Sequence, residues 1–340
     1  MHPVLAIVAP IYNEAGNIRE LYRRIREVMG RAGVTWELVM VNDGSTDGSA
    51  GLIREVYEQD PEHVRAVHFA RNFGHSAAVT AGMDYAAGDA VVLIDADLQD
   101  PPELILDLLE KWREGYEVVY AVRAKREGET AFKRLTASAF YRVLSEITDV
   151  KIPLDTGDFR LMDRQVVDVV NAMRERNRFV RGMVAWAGFR QTGIEYERQQ
   201  RHAGETKYTF RKMLRLAWDA VTGFSYFPLQ LATYLGFAIA ALSALGILVV
   251  IYLRAFTDAQ PLEGQATTLI MVLFLGGVQL ISLGIIGEYL GRIYDEVKGR
   301  PLYLVGSTQG IDRAPLPGPR AGQTLPPRRE YGGGDDERVS

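Results

Sequence analysis

A short aliphatic run that stops abruptly on acidic residues is the feature that most constrains the fold of this chain. The run is VVLI at residues 91–94, and Asp95 and Asp97 follow it directly. Consecutive aliphatic residues of this kind are typical of a strand buried on both faces of a parallel sheet. In an extended chain Asp95, Asp97 and Gln99 would point to the same side of the backbone. Their hard oxygen atoms suit Mg²⁺ or Mn²⁺ rather than zinc, and the alternative is a solvated turn that caps the next helix.

Similar apolar runs alternate with helical patterns along the first part of the chain. Residues 4–9, 38–41, 64–69 and 118–122 predict further strands, and amphipathic segments between them predict helices. This order predicts an α/β fold with a mostly parallel sheet and helices on both of its faces. In such sheets, ligands bind beyond the carboxyl ends of the strands.

Polar residues concentrate where the predicted strands end. Tyr12 and Glu14 follow the first strand, Asp43 follows the second, and Asp95 with Asp97 follows the fourth. Neither a G-x-G-x-x-G fingerprint nor a Walker loop is present, so a nucleotide would be held through carboxylates and a metal. The alternatives are a packing role for Tyr12 and a turn-capping role for Asp43.

Composition excludes several other classes of protein. The chain of 340 residues contains no cysteine, so disulfides, thiolate metal sites and a cysteine nucleophile are excluded. The formal net charge of −4 gives no indication of nucleic-acid binding. A chain of this length can hold a complete α/β domain and further segments.

Three motifs give the chain a resemblance to a known enzyme family. They are APIYNE at residues 9–14, VNDGSTD at residues 41–47 and DADLQDPPE at residues 95–103. These motifs resemble those of the family 2 inverting glycosyltransferases, which have the GT-A fold, a Rossmann-like arrangement. More narrowly, residues 4–300 are similar to the polyprenyl-phosphate glycosyltransferases, such as dolichyl-phosphate mannose synthase and the bactoprenol glucosyltransferases. The resemblance implies transfer of one sugar from a UDP- or GDP-linked donor to undecaprenyl or dolichyl phosphate.

The same resemblance implies roles for individual residues. It assigns to the nucleotide sugar Pro10, Tyr12, Glu14, Val41, Asp43, Asp95, Ala96, Asp97, Gln99, Arg123, Arg201 and Lys207. It assigns Mg²⁺ or Mn²⁺ to Asp97, Gln99 and Asp95, and the acceptor phosphate to Arg123, Lys133 and Arg134. The implied catalytic residues are Asp97, Asp158 and Arg123.

The expected nucleophile makes a general base less necessary than usual. A phosphate monoester is mostly dianionic at pH 7, so it arrives already charged. Asp158 would then act as a base or, alternatively, orient Arg123 or the sugar. For Arg123, Lys133 and Arg134, the alternative to binding the acceptor phosphate is a place on a solvated surface.

Apolar segments near the C-terminal end predict a membrane anchor. Residues 229–253 and 269–291 are each long enough to span a bilayer, which takes ~20 residues. Residues 208–228 combine a basic face with aromatic residues and predict an interfacial amphipathic helix. Basic residues outside the two spans place both ends in the cytoplasm and the loop at residues 254–268 outside.

These boundaries predict an integral protein of the bacterial inner membrane. Its cytoplasmic GT-A catalytic domain would occupy residues 1–207. Its cytoplasmic tail would occupy residues 292–340 and be disordered from about residue 306, where Pro, Gly and mixed charge predominate. Glycines in the second span offer small surfaces for close packing, including packing between protomers of a homo-oligomer such as a tetramer.

Two other functions stay open at this point. A processive polysaccharide synthase would need more spans and a Q-x-x-R-W motif, which RFVRGMVAW at residues 178–186 does not match. A non-catalytic membrane scaffold or flippase partner with a retained fold would have no need of intact Asp95, Asp97 and Gln99.

Overall fold

The computed structural model describes residues 2–123, 156–197, 227–256 and 265–311 of the chain. These residues form an α/β unit, to which residues 301–311 also belong, and a separate helical unit. The strands are β1 (Leu5–Ile11), β2 (Trp36–Asn42), β3 (Val64–Phe69), β4 (Ala90–Leu93), β5 (Val118–Arg123), β6 (Thr156–Asp163), β7 (Gln191–Tyr196) and β8 (Val305–Gln309). The helices are α1 (Ile18–Ala32), α2 (Ser49–Gln59), α3 (His75–Tyr85), α4 (Ile105–Arg113), α5 (Arg164–Ala172), α6 (Val180–Trp186), α7 (Phe227–Phe256) and α8 (Gln265–Val297), with a 3₁₀ turn at Pro102–Leu104.

The described strands form one sheet in the order β7-β5-β6-β4-β1-β2-β3-β8. β1 pairs in parallel with β2 and β4, β2 with β3, and β5 with β7. Two strands run the other way: β6, between β4 and β5, and β8, beside β3. The prediction of an α/β fold with a mostly parallel sheet is therefore confirmed.

Alternate residues of the central strand β1 point to opposite faces of the sheet, and different helices cover the two faces. Leu5 and Ile7 of β1 share a fully buried core with Leu21 of α1. Burial of each such side chain stabilises the fold by roughly 1.5–3 kcal/mol. On the opposite face Val8 meets Gly82 of α3, where an added Cβ would lie 2.1 Å from Val8 Cγ1. Only glycine therefore lets α3 approach the strand this closely.

The segment after the helical unit differs from the prediction. Residues 301–311 belong to the α/β unit, and β8 pairs antiparallel with β3. The prediction of disorder from about residue 306 is therefore wrong for residues 306–311. The Pro, Gly and charged residues that predominate in the tail as a whole do not indicate this strand of five residues. Its backbone groups pair with the otherwise open edge of β3.

The helical unit consists of α7 and α8, and both helices are longer than the predicted spans at residues 229–253 and 269–291. Within the described residues, one stretch, Met271–Val297 of α8, is long and apolar enough to cross a membrane by length and composition. Leu229–Ser243 of α7 is a shorter apolar stretch, so the first span stays a prediction. Residues 208–226 of the predicted interfacial helix lie outside the described residues.

Candidate active site

The loops that follow β1 and β2 are tied together by short hydrogen bonds. The Asn13 amide donates to Ser45 Oγ at 3.0 Å, and the Thr46 amide donates to Asn13 Oδ1 at 2.8 Å. The Glu14 amide donates to Ser49 Oγ at 3.1 Å. Asn13 has a φ of +54°, which is uncommon for a residue other than glycine. The reciprocal bonds hold it there, and such backbone positions occur often at binding sites.

The predicted nucleotide residues at this edge differ in their access to a ligand. Tyr12 is 39% exposed and therefore accessible. The Glu14 carboxylate accepts a bond of 2.7 Å from Asn17 Nδ2. Val41 is fully buried and pairs with Pro10 in the sheet, so it supports the edge from within.

Asp43 anchors the loop that joins β3 to α3. Its carboxylate accepts from Asn72 Nδ2 at 2.9 Å, from the Phe73 amide at 2.7 Å and from the Gly74 amide at 3.0 Å. Burial raises the pKa of Asp43 despite these bonds, which favour the charged form. The carboxylate therefore joins two strand ends, and its predicted contact with a base stays a prediction.

The acidic motif after β4 turns instead of staying extended. Asp97 Oδ1 accepts from the Gln99 amide at 3.1 Å, and Leu98 between them has a φ of +58°. The predicted row of Asp95, Asp97 and Gln99 along one strand is therefore wrong. A local turn closed by the aspartate side chain competes with extended backbone, and the Leu98 side chain is buried in the core. Ala96, also in this turn, is buried.

A histidine and an arginine complete the centre of the site. The antiparallel pairing of β4 with β6 brings Asp158 beside Asp95. His75, the first residue of α3, places Nε2 at 3.1 Å from Asp158 Oδ2 and at 3.9 Å from Asp95 Oδ1. Arg181 of α6 donates from Nε to Asp158 Oδ1 at 2.7 Å. Asp158 is therefore held from both sides.

These contacts, together with burial, shift the pKa values of Asp158, His75 and Asp95. Burial disfavours the charged form of Asp158, but Arg181 and then His75 outweigh it and hold the pKa of Asp158 well below its usual range. Loss of hydration opposes a positive charge on His75, but its side chain is 47% exposed, and the carboxylates of Asp158 and Asp95 raise its pKa to about 9. Burial, with Asp158 and two further acidic neighbours, raises the pKa of Asp95 to about 6. A strongly acidic, ion-paired Asp158 is poorly suited to accept a proton near neutral pH.

Arg123 closes another side of the cluster. It lies at the end of β5, next to Tyr196 at the end of β7. The Tyr196 hydroxyl donates to Asp100, and burial and then the Asp100 charge raise the pKa of Tyr196 to about 12. A Cβ at Gly157 would lie 2.9 Å from Arg123 Nη2, so glycine lets the guanidinium lie against β6. Arg123 Nε is buried and has no hydrogen-bond partner among the described residues.

The donor set suits a hard divalent cation. Asp95 has Asp97, Asp100 and Asp158 close enough to raise its pKa, and a bound cation would relieve that repulsion. Within the described ranges, no three His, Cys, Asp or Glu side chains surround a common point. Mg²⁺ commonly takes one or two protein carboxylates and completes its shell with water and substrate phosphates. Asp95 and Asp97 fit that demand.

Thus the structure brings together Asp95, Asp97 and Asp158 of the predicted set, with Asp43 close enough to His75 to interact with its charge and Arg123 beside Gly157 and Tyr196. The predicted residues Lys133, Arg134, Arg201 and Lys207 lie outside the described residues.

Sequence reasoning missed His75, Arg181 and Tyr196. His75 follows the third predicted strand after the five residues 70–74, and this position near the carboxyl edge was the available signal. Arg181 and Tyr196 carry no comparable local signal, because their partners are distant in the sequence.

Comparisons with known proteins agree with this architecture. Residues 6–170 match the family described as Glycosyl transferase family 2, and residues 227–293 match the GtrB C-terminal hairpin. An uncharacterized glycosyltransferase of Bacillus subtilis is 54% identical over 315 residues, which are 93% of this chain and 97% of the relative. The SfII prophage-derived bactoprenol glucosyl transferase of Shigella flexneri is 42% identical over 302 residues, 88% of this chain and 97% of the relative. Mannosyl-3-phosphoglycerate synthase from Rubrobacter xylanophilus has a TM-score of 0.44 and 17% identity, covering 78% of this chain and 80% of that one, a similarity too low for comparing sites.

Proposed function

Because the chain belongs to glycosyl transferase family 2, we propose that it transfers one sugar, with inversion, from a UDP- or GDP-linked donor to a polyprenyl phosphate. Its α/β unit has a GT-A-like fold. The proposal is supported by the gathering of Asp95, Asp97, Asp158, His75 and Arg181 at the carboxyl edge of the sheet. The bactoprenol glucosyl transferases that resemble this chain over most of its length support the lipid phosphate as acceptor.

In the proposed donor complex, the nucleoside lies at the edge formed by the loops after β1 and β2. Tyr12, which is 39% exposed, would stack on the base. Asp95 and Asp97 would hold Mg²⁺ or Mn²⁺, with Gln99 beside them. Bound there, the cation supplies Lewis-acid neutralisation of the charge on the leaving diphosphate.

The transfer step needs positioned cations more than a base. A phosphate oxygen of the acceptor attacks the anomeric carbon from the face opposite the nucleotide. The bond from that carbon to the diphosphate breaks, and the nucleoside diphosphate leaves. Arg123 offers a partly buried guanidinium at this site, with its Nε atom buried. Charge-assisted hydrogen bonds from arginine to phosphate are among the stronger ones in proteins.

Asp158 acts in this scheme as an anchor and not as a general base. Its ion pairs keep it ionised, and they fix the orientation of Arg181 and His75. A dianionic acceptor needs no proton removed, so positioning and charge stabilisation carry the rate.

The helical unit would serve as the membrane anchor. We propose that α7 and α8 form a hairpin with both ends in the cytoplasm of a bacterial inner membrane, as the hairpin match and the basic flanks favour. Gly276, Gly277 and Gly284 of α8 would allow close packing in a homo-oligomer, of which a tetramer is one form.

A donor panel tests the proposal. Full-length protein in membranes is incubated with undecaprenyl phosphate and a set of UDP- and GDP-sugars, and lipid products are identified by mass spectrometry. We expect one donor to yield a lipid that carries a single sugar, with release of the nucleoside diphosphate. A long polymer would identify a processive synthase instead, and no nucleotide release with any donor would identify a scaffold.

A further inference from the structure

The α/β sheet is completed by a segment that follows the second long helix in the chain. This return segment, residues 301–311, contains β8 and belongs to the α/β unit. β8 pairs with β3 from Ala66 opposite Gln309 to Phe69 opposite Val305. Beyond the strand the Ala70 amide donates to the Leu304 carbonyl at 3.0 Å. The return segment therefore runs beside β3 up to the start of the loop between β3 and α3, whose amides bind Asp43.

Tyr303 links the return segment to that loop through aromatic rings. Its ring stacks on Phe69, with centroids 5.1 Å apart and an angle of 13° between the planes. Phe69 in turn meets Phe73 edge-on, with centroids 5.6 Å apart. The Phe73 amide is the donor of the 2.7 Å bond to Asp43. A chain of contacts thus runs from Tyr303 to the carboxylate at the proposed nucleoside edge.

Tyr303 is also fixed by a buried acid on α3. Its hydroxyl donates to Asp84 Oδ2 at 2.7 Å, and Arg174 donates to both Asp84 oxygens at 2.8 Å. Asp84 is 1% exposed, so these partners satisfy the hydrogen-bonding capacity of a buried side chain. Burial and the Asp84 charge raise the pKa of Tyr303, which keeps the hydroxyl protonated as a donor. Asp84 lies in the last turn of α3, the helix that His75 begins.

Gln309 reaches the same edge by a second path. Asn42 Nδ2 donates to His68 Nδ1 at 3.1 Å, which leaves Nε2 as the donor to Gln309 Oε1 at 3.4 Å. Asn42 Oδ1 then accepts from the Ser45 amide at 3.0 Å. Ser45 Oγ accepts from the Asn13 amide beside Tyr12. Both paths therefore end in the loops that would hold the nucleoside.

We propose that Tyr303 and Gln309 are positioning residues for the nucleotide-sugar donor, acting through Phe69–Phe73–Asp43 and through His68–Asn42–Ser45. This inference rests on the proposed function, since that function places the nucleoside at these loops. Without the Tyr303 hydroxyl that holds the stacked ring through Asp84, and without the Gln309 amide, the loops sample other conformations. The affinity for the donor then falls in proportion to the lost fraction of competent protein.

The test compares full-length variants in detergent. Tyr303→Phe keeps the stacked ring and removes the hydroxyl, and Gln309→Ala removes the amide. Thr308→Ala, on the exposed face of the same strand, is the matched control. UDP and GDP binding is measured by calorimetry, and transfer is measured with each substrate varied in turn. We expect the double variant Tyr303→Phe/Gln309→Ala to raise the nucleotide Kd and the donor KM about 10-fold, as for a competent fraction near one tenth. Acceptor KM and kcat at saturating donor should match those of Thr308→Ala.

Hydrogen exchange provides a readout that separates positioning from global stability. In folded Tyr303→Phe/Gln309→Ala protein, the amides of Ser45, Phe73 and Gly74 should exchange faster, while those of β1 stay protected. A lower melting temperature with unchanged nucleotide affinity and unchanged loop exchange would overturn the positioning role alone. Wild-type protein that binds no nucleotide would overturn the proposed function, and the positioning role with it.

Discussion

Arg181 donates from Nε to Asp158 Oδ1 over 2.7 Å, an ion pair that joins α6 to the start of β6. A second guanidinium nitrogen of Arg181 donates to the Thr156 carbonyl at 2.9 Å. The planar fork thus fixes a carboxylate and the strand that carries it at the same time. The other oxygen of Asp158 is left facing His75.

Replacing the guanidinium should impair transfer more than folding. Arg181→Lys keeps the positive charge but cannot donate in both directions from one plane. We expect kcat/KM for lipid-linked sugar formation to fall about 100-fold, because small displacements of positioning groups have effects of this size. Transfer of radiolabelled sugar measures the change. Arg113→Lys, on the exposed end of α4, is the control and should retain wild-type activity. Wild-type activity in Arg181→Lys would contradict the anchoring role.

The carboxylates after β4 should make transfer depend on a divalent cation. Chelation with EDTA should abolish activity, and excess Mg²⁺ or Mn²⁺ should restore it. Asp97→Asn removes a charged ligand, so a higher metal concentration should be needed for half-maximal activity. Asp107→Asn on α4 is exposed and should leave the metal dependence unchanged. Full activity in EDTA would exclude the proposed cation role.

Gly44, in the loop after β2, and Gly51, in helix α2, allow a matched comparison of two alanine substitutions. Gly44 has a φ of +63°, and a Cβ there would lie 2.4 Å from the backbone carbon of Arg71. Gly44→Ala should therefore destabilise the protein by about 1–3 kcal/mol and raise the donor KM, since it displaces the loop bound to Asp43. Gly51 lies in α2 with no atoms near an added Cβ. Gly51→Ala should stabilise the protein by about 0.5–1 kcal/mol. Thermal unfolding should give a lower melting temperature for Gly44→Ala than for Gly51→Ala. Equal melting temperatures would contradict this expectation.

His68 should make stability fall on mild acidification. Burial lowers the pKa of His68 below its usual 6.5; the hydrogen bond to Gln309 opposes this effect, and the charge of Arg54 adds to it. Between the folded and unfolded pKa values the unfolded chain binds more protons, so the free energy of unfolding falls as the pH drops below 6.5. A protonated Nδ1 also cannot accept from Asn42.

Substitution of His68 isolates its part of that pH dependence. In His68→Gln the melting temperature should decline less between pH 7.5 and pH 5 than in the wild type. Identical slopes for His68→Gln and the wild type would show that His68 does not titrate differently in the two states.

The sequence predicted those parts of the site that depend on local patterns. Buried aliphatic runs set the parallel strands, and the rule that ligands lie at their carboxyl ends placed Tyr12, Asp43 and Asp95 at one edge. The turn at Asp97 was not predictable from alternation alone. Its geometry depends on Leu98 being buried, a tertiary effect that outweighs its unfavourable φ.

The rest of the site arises from contacts between distant residues. His75 and Asp158 are separated by 83 positions, and Tyr196 and Asp100 by 96. No sequence periodicity links such pairs. Their proximity becomes apparent only in the folded sheet, where the antiparallel strand β6 lies between β4 and β5. β8 escaped prediction for the same reason, because its partner β3 lies far upstream and its own composition resembles a linker.

The return segment also bears on how the protein is synthesised. The final strand of the sheet leaves the ribosome only after both long helices of the hairpin have been translated, since β8 follows them in the chain. The pairing of β8 with β3 is therefore added to the sheet only after both long helices have been made. A nascent chain that stalls before residue 301 therefore carries an α/β unit with an open β3 edge.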